Sequence, residues 1–529
     1  MSSGLVLVGQ VAGMRAQSHL TLAAVEQVRQ PKASVSEAVT PGGSRAPPAG
    51  FDAADRGQRG GASPGAGRPR GGGHPTWSPR PGPARDIPPA VTDLTAARWL
   101  FGSSLAFHIL FAAVGVAMPV FMVLAEWRWR RTGSAVHLDL AHRWAKGTAI
   151  LFAVGAVSGT VISFELGLLW PRFMAFAGPI IGMPFSLEGF AFFAEAIFLG
   201  IYLYGWERVS PRLHLLSGVL VAASGALSAF FITLANAWMN HPAGFEVVLG
   251  KARGVEPLTA MFPPGWSQEV LHVLLSSYAA TGFAVAGIHA AFLLRDRASA
   301  FHRAALAIAL SVGGAAALLQ PLSGDLSARA IAVDQPLKLA ALEGLFQGGR
   351  AVPLQLGGLP DAAAAVTRWS IEIPRGLSLL AFHDPDAEVK GMLDFPRDTW
   401  PDPLKVHLAF QAMVALGSAM AAVALAGLVL AWRRRGVPQE RWFLRALALS
   451  GPFGFLALEA GWMVTEWGRQ PFTIWGVMRT ADAVTPVTRL TVPLWGFSAI
   501  YLFLAAMVAT LLWRQMLQAP AAPAAEGTP

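Results

Sequence analysis

The chain has 529 residues, 53% apolar and only 14% charged, where soluble domains carry about 25% charged residues. A string of soluble domains is therefore excluded, and an all-α polytopic membrane protein is expected. No cysteine is present, which rules out a disulfide scaffold, a thiolate metal site, an iron–sulfur cluster and a covalently attached c-type heme; any metal must be held by His, Met, Glu or Asp. Of the formal net charge of +9, +5 falls in residues 1–90; no basic–aromatic surface module accompanies it, so no nucleic-acid partner is inferred.

Residues 1–90 contain 15 Gly and 12 Pro and read as a disordered Gly/Pro/Arg-rich extension or an over-long gene start. The opening MSSGLVLVGQVAGMRAQ lacks a basic n-region and does not read as a signal peptide. The body of the chain, 91–516, carries apolar runs of about 20 residues, each long enough to cross a bilayer as a helix. Nine spans are expected near 99–125, 143–168, 184–204, 212–238, 268–293, 302–322, 405–431, 441–463 and 490–513, followed by a disordered tail at 517–529. Arg128, Arg130, Arg131, Arg143 and Lys146 flank the first loop, Arg208 and Arg212 the third, Arg295, Arg297 and Arg303 the fifth, and Arg433, Arg434, Arg435, Arg441 and Arg445 the seventh. All fall on one side, which the positive-inside rule makes cytoplasmic. The N-terminus then lies outside and the C-terminus inside. The even-numbered loops, 170–183, 239–267 and 464–489, are poorer in Arg and Lys, and the long segment 323–404 lies outside, too long to be a mere connector.

Ionisable side chains within a span are costly and mark function. His108 lies in span 1, Glu188 and Glu195 in span 3, His272 at the outer start of span 5, Met413 in span 7 and Glu459 in span 8. The seven-residue step from Glu188 to Glu195 puts both on one helix face. Given the alternating direction of the spans, His108, Glu188, His272, Met413 and Glu459 share the outer half of the bilayer. A His and a Met at similar depth can ligate one heme iron from both sides, and a second His and a carboxylate can hold further, open hemes. Each also has a plainer reading: hydrogen-bonded packing for a His at a span end, core for a Met, a proton relay or cation site for a buried Glu. His289 and His302 read as packing residues, and His241 in NHPAG as a loop residue. On the residues alone, the result is a membrane protein with a polar cluster in one leaflet.

Several segments then resemble subunit I of the cytochrome bd-type quinol oxidases across residues 95–513: EAGWMVTEWGRQPFTIWGVMRT (Glu459 to Thr480, with GRQP at Gly468–Pro471), LSAFFITLANAWMNHP (Leu227 to Pro242) and KLAALEG (Lys338 to Gly344). The resemblance implies a respiratory terminal oxidase of the bacterial cell membrane that oxidises quinol at the outer face and reduces dioxygen to water with cytoplasmic protons. It implies a second membrane subunit, subunit II, as partner. Three hemes are implied: a low-spin heme b (b-558 type), a high-spin heme b (b-595 type) and heme d, or a b-type heme in its place. His272 and Met413 look like the axial pair of the low-spin heme, and His108 and Glu459 like ligands of the two high-spin hemes. Glu188 and Glu195 match carboxylates beside those hemes, and Lys338 and Glu343 match the pair of the outer quinol loop. Ser228 and Asn236 match a proton path from the inside. Arg98 matches a basic residue near the heme propionates, and Arg469 of GRQP joins the cofactor-binding set.

Gln411, two before Met413, stands where many family members have Arg, which removes a charge beside the low-spin heme; Phe472 and Phe455 stand at usual Trp positions. With the short outer loop, these departures resemble the cyanide-insensitive branch. A heme–copper oxidase needs a His cluster for copper, whereas here His108, His272 and His289 are the His well inside spans. The alternative function is an ion-coupled transporter using Glu188, Glu195 and Glu459, which would show an inverted repeat; none is visible between the halves.

Overall fold

The computed structural model describes residues 90–517; the readings of 1–89 and 518–529 fall outside it. In chain order the helices are α1 (Ala90–Thr132), α2 (Ala135–Leu169), α3 (Pro171–Tyr204), α4 (Pro211–Asn240), α5 (Pro257–Met261), α6 (Trp266–Arg295), α7 (Ala300–Ala309), α8 (Ala315–Asp334), α9 (Pro336–Glu343), α10 (Gly376–Phe382), α11 (Pro403–Arg434), α12 (Arg441–Ser450), α13 (Phe453–Gly468), α14 (Thr480–Ala483) and α15 (Thr491–Leu517). Among the described residues, nine helical segments are long and apolar enough to span a membrane, with α7–α8 and α12–α13 each making one span. The expected number and order of spans are found, in an all-α polytopic architecture.

The ends differ from the sequence reading. Residues 171–183, read as loop, continue helix α3, which begins at Pro171. Proline at the first helical position forfeits no intrahelical bond, and Phe173, Phe176, Ile180 and Ile181 sink into a core with Trp170 and Trp238. The sixth span likewise runs on to Asp334 rather than 322, so the segment between spans is residues 335–402. A π turn, Leu310–Gly314, interrupts this span. There Gly313 meets Gly282 of α6 backbone to backbone, and a Cβ on either would overlap the other's backbone.

Local chemistry fixes the helix starts. Ser210 Oγ accepts the Leu213 N–H ahead of Pro211, and the Asp402 carboxylate accepts the Lys405 N–H at 3.3 Å ahead of Pro403. Arg130 and Arg131 close α1 and Arg433 and Arg434 close α11, where cations suit the helix C-terminus. Helix α1 packs on α2, α4 and α6, α3 packs on α4, and α11 packs on α13. One end of the bundle carries the arginine-rich turns, the other the segment 335–402; these are called the arginine end and the loop end below.

Segment 335–402 is built from α9, α10 and three antiparallel strand pairs: Gly349–Arg350 with Glu388–Val389, Leu354–Leu356 with Ile371–Ile373, and Leu359–Asp361 with Val366–Arg368. It is pinned to α11 by the fully buried His407, whose ring nitrogens lie 2.7 Å from the Leu342 carbonyl and 2.9 Å from the Gly357 carbonyl. Gln411 adds two bonds: its Oε1 accepts the Gly357 N–H and its Nε2 donates to the Gln355 carbonyl, each at 3.2 Å.

Candidate functional site

Two histidines within spans, His108 and His272, have their tautomer set by a serine on the neighbouring helix. His108 Nδ1 lies 3.0 Å from Ser158 Oγ on α2, and that hydroxyl already donates to the Val154 or Gly155 carbonyl at 3.0–3.1 Å. Its lone pair therefore accepts from Nδ1–H. His272 repeats the device: Nδ1 is 2.9 Å from Ser323 Oγ on α8, whose proton goes to the Gln320 carbonyl. In each ring Nε2 then carries the lone pair, the form a metal-ligating imidazole takes when an outer partner holds its other nitrogen. At His272 the Gln320 amide Nε2 points at that lone pair from 3.0 Å.

Glycines make room beside these groups. A Cβ on Gly159 would stand 3.0 Å from His108 Cε1, on Gly324 3.6 Å from His272 Cε1, and on Gly461 3.1 Å from Met413 Sδ. Met413 thus faces helix α13 two residues beyond Glu459. Glu459 is half-buried, and its Oε1 is buried with no hydrogen-bond partner. Such an orphan costs about 1–3 kcal/mol unless a further group satisfies it, so Glu459 fits a carboxylate ligand, and the two imidazoles and the thioether fit a heme iron. Glu188 Oε1 accepts a bond from Ser228 Oγ at 3.0 Å. Glu195 is buried against Gly115 of α1 and Gly225 of α4.

At the loop end a polar network joins four helices, α4, α6, α9 and the end of α13. Lys338 Nζ donates to Asn240 Oδ1 at 3.3 Å, and the Lys338 stem lies against Gly468. Arg469 Nη1 donates to Asn236 Oδ1 at 3.2 Å and Nη2 to Glu466 Oε2 at 2.7 Å. Asn236 Nδ2 donates in turn to Glu269 Oε2 at 3.2 Å. Lys338, Glu343 and Arg469 are all buried, and Glu343 Oε2 has no partner. Burial pushes the Lys338 amine down to about 8, with the Glu269 carboxylate opposing the shift, and burial pushes the Glu343 carboxyl up to about 8. A buried base and a buried, unpartnered acid on one short helix suit proton exchange with a hydroxylated ligand.

The structure therefore groups some of the expected residues and parts others. Asn236 sits in the Lys338 network at the loop end, whereas Ser228 pairs with Glu188. Gln411 spends both polar groups on loop backbone. Arg98 is exposed on α1, and Glu466 is the carboxylate it feels. His241, read as a loop residue, is the first residue beyond α4, its C-cap, with only 12% of its side chain exposed, between Glu269 and Asp334. His289 and His302 pack as expected, with their Nδ1 atoms 2.8 Å apart.

Sequence reasoning missed Ser158, Ser323, Asn240, Glu269, Glu466 and the buried Glu165, which accepts a bond from Ser104 Oγ at 2.8 Å. Glu165 lies inside span 2 and was open to the rule applied to the other intramembrane carboxylates. The serines carry no sequence signal, because a hydroxyl in a span ordinarily bonds its own helix.

Bundle and site together define an all-α, multi-pass membrane protein with inward-facing imidazole, thioether and carboxylate groups and a polar site at one helix end. The family model described as cytochrome bd terminal oxidase subunit I matches residues 96–520, and the chain belongs to that family. It is 38% identical over 429 residues to the putative cytochrome bd menaquinol oxidase subunit I of Bacillus subtilis, covering 80% of this chain and 96% of the relative. It is 32% identical over 440 residues to the cytochrome bd ubiquinol oxidase subunit 1 of the same organism, covering 80% and 94%. The solved bd oxidase of Geobacillus thermodenitrificans matches with a TM-score of 0.76 at 38% identity, covering 81% of this chain and 99% of that one.

Proposed function

We propose that the chain is the quinol-oxidising, oxygen-reducing subunit of a respiratory terminal oxidase, with quinol bound at the loop end and the loop end facing outward. The observation that carries this reading is the pairing of buried Lys338 with unpartnered, buried Glu343 on helix α9, in a family whose named relatives oxidise menaquinol or ubiquinol. Lys338, held by Asn240, presents its ammonium to a quinol oxygen, and Glu343 as carboxylate accepts a proton from the quinol hydroxyl. The arginine-rich turns at the opposite end support an inward-facing arginine end by the positive-inside rule.

His272 with Met413 would hold a low-spin heme b, and His108 and Glu459 the two high-spin hemes, b-type and d-type or b-type; when bound, these groups carry electrons and activate dioxygen. Ser158 and Ser323 orient the two imidazoles. Glu188, bonded to Ser228, and Glu195, buried between α1 and α4, are placed to hold and pass protons drawn from the arginine end. The exposed apolar faces of the spans, among them Phe164, Phe190, Ile197 and Trp495, suit lipid and a second membrane subunit.

The test is a reduced-minus-oxidised spectrum of membranes holding the chain, with quinol-dependent oxygen uptake on the same preparation. Heme bands and uptake are expected together; membranes with neither would end the reading.

A further inference from the structure

His241 lies beside the proposed quinol site and takes no part in it as described above. Asn240, the residue before it, accepts the Lys338 Nζ–H through its side chain and the Gln335 Nε2–H through its carbonyl, at 3.3 and 2.8 Å. The imidazole is set between two carboxylates: Asp334 Oδ2 is 3.6 Å from Nε2, and Glu269 Oε1 is 4.0 Å from Nδ1. The Gln335 amide Nε2–H can donate to the ring's Nε2 at 3.5 Å, a weak contact at the limit of a hydrogen bond. Nδ1 is buried and has no hydrogen-bond partner. Exposure rises along the line from 3% at Lys338 through 12% at the His241 side chain to 34% at that of Asp334, so the line leads outward.

We propose that His241 is a proton-exit relay, taking one of the two protons of each oxidised quinol at Nδ1 and passing one from Nε2 to the Asp334 carboxylate at the surface. The proposal rests on the reading of Lys338 and Glu343 as the quinol site. Each quinol loses two electrons, which the oxidase activity consumes, and two protons as its O–H bonds break. Glu343 takes one and the neutral imidazole the other. In the tautomer with Nε2–H turned to Asp334, in place of the weak Gln335 contact, the orphaned Nδ1 lone pair is the open acceptor; the resulting imidazolium loses its Nε2 proton to Asp334, which releases it to water, and proton exchange with water then moves the remaining proton from Nδ1 to Nε2 for the next quinol. The 3.6 and 4.0 Å gaps are within reach of a small side-chain shift or one bridging water.

The charged groups around the ring suit transient rather than permanent protonation. Asp334 on α8 favours the imidazolium, Lys338 on α9 opposes it, and burial holds the resting ring below the ordinary imidazole range. Glu269 on α6 stands on the Nδ1 side, itself within the field of Arg469 and Glu466 from the end of α13.

The experiment uses the assembled membrane enzyme, with the turnover of a soluble short-chain quinol followed against pH for the parent, His241→Gln and Asp334→Asn. In the parent, the acid-side fall in kcat steepens from first to second power in proton concentration once His241 becomes protonated at rest. In His241→Gln it stays first-power, kcat near neutrality falls about 100-fold, and KM and heme spectrum are unchanged. Asp334→Asn lowers kcat less. A kcat and pH profile equal to the parent's in both variants would overturn the relay. Should His241→Gln lose heme, Asp334→Asn decides alone by the same readout, parental kcat again overturning the proposal. Lys338→Met and Glu343→Gln are measured alongside: normal quinol oxidation there removes the quinol-site reading, whereas their inactivity with a parental His241→Gln removes only the relay.

Discussion

Lys338 Nζ donates a 3.3 Å hydrogen bond to Asn240 Oδ1 across 98 residues of sequence, tying the short helix α9 to the end of α4. The bond fixes the ammonium at the loop end, while Glu343, near the other end of α9, keeps an unpartnered buried oxygen. Five residues turn a helix well away from its starting face, so the two groups address the site from different sides.

Their titration predicts a narrow pH optimum. Glu343 is pushed up to about 8, so below that pH it is mostly protonated and cannot accept a quinol proton. Lys338 is pushed down to about 8, so above that pH the ammonium is lost. Turnover at saturating quinol is expected to rise towards pH 8 and fall beyond it. Glu343→Gln removes the acid limb and most of the activity; normal quinol oxidation in that variant at every substrate concentration refutes the proton-acceptor role.

His272→Ala and Met413→Leu are each expected to remove the low-spin heme signal while the helices still insert. Ser323→Ala is milder, because it frees the imidazole to rotate without deleting the ligand, and loss of such an outer partner typically weakens metal binding about 10–100-fold. Reduced-minus-oxidised spectra of the three variants check this, and unchanged spectra in the first two would refute the axial pair.

For Glu459, Ala and Gln separate two readings. As a ligand, Glu459→Ala loses a high-spin heme and oxygen reduction but keeps the low-spin heme of His272 and Met413. As a packed, protonated acid, Glu459→Gln is nearly silent, since Gln keeps size and hydrogen bonding. Heme counts and oxygen uptake decide, and full heme with normal turnover in Glu459→Ala excludes ligation.

His407 holds the loop segment through the Leu342 and Gly357 carbonyls. His407→Ala removes the ring from both; a neutral imidazole donates to one carbonyl at a time, so about 1–3 kcal/mol is lost for one group left unpaired. Limited proteolysis is expected to cut within residues 335–402 in this variant faster than in the parent, with the heme spectrum retained. Gln411→Ala, which frees Gly357 and Gln355, acts in the same direction.

Span count and order were legible in the sequence because hydropathy and helix length act along the chain, residue after residue. The polar residues His108, His272 and Glu459 also stand out, because polar groups in a span are costly; Met413 carries no such signal, and its proposed role comes from the family resemblance alone. The extra turns of α3 and α8 were not legible, since their apolar stretches are interrupted by Pro, Gly or Ser and gain stability only from packing. Which side chains meet was decided by tertiary structure. The Ser158 hydroxyl reaches His108 over 50 residues and Ser323 reaches His272 over 51, and Arg469 reaches Asn236 over 233. Such pairings depend on the rotation of one helix against another, and no periodicity within a single helix encodes that angle. The placement of His241 between two acids arose in the same way, from the ends of three helices brought together only in the fold.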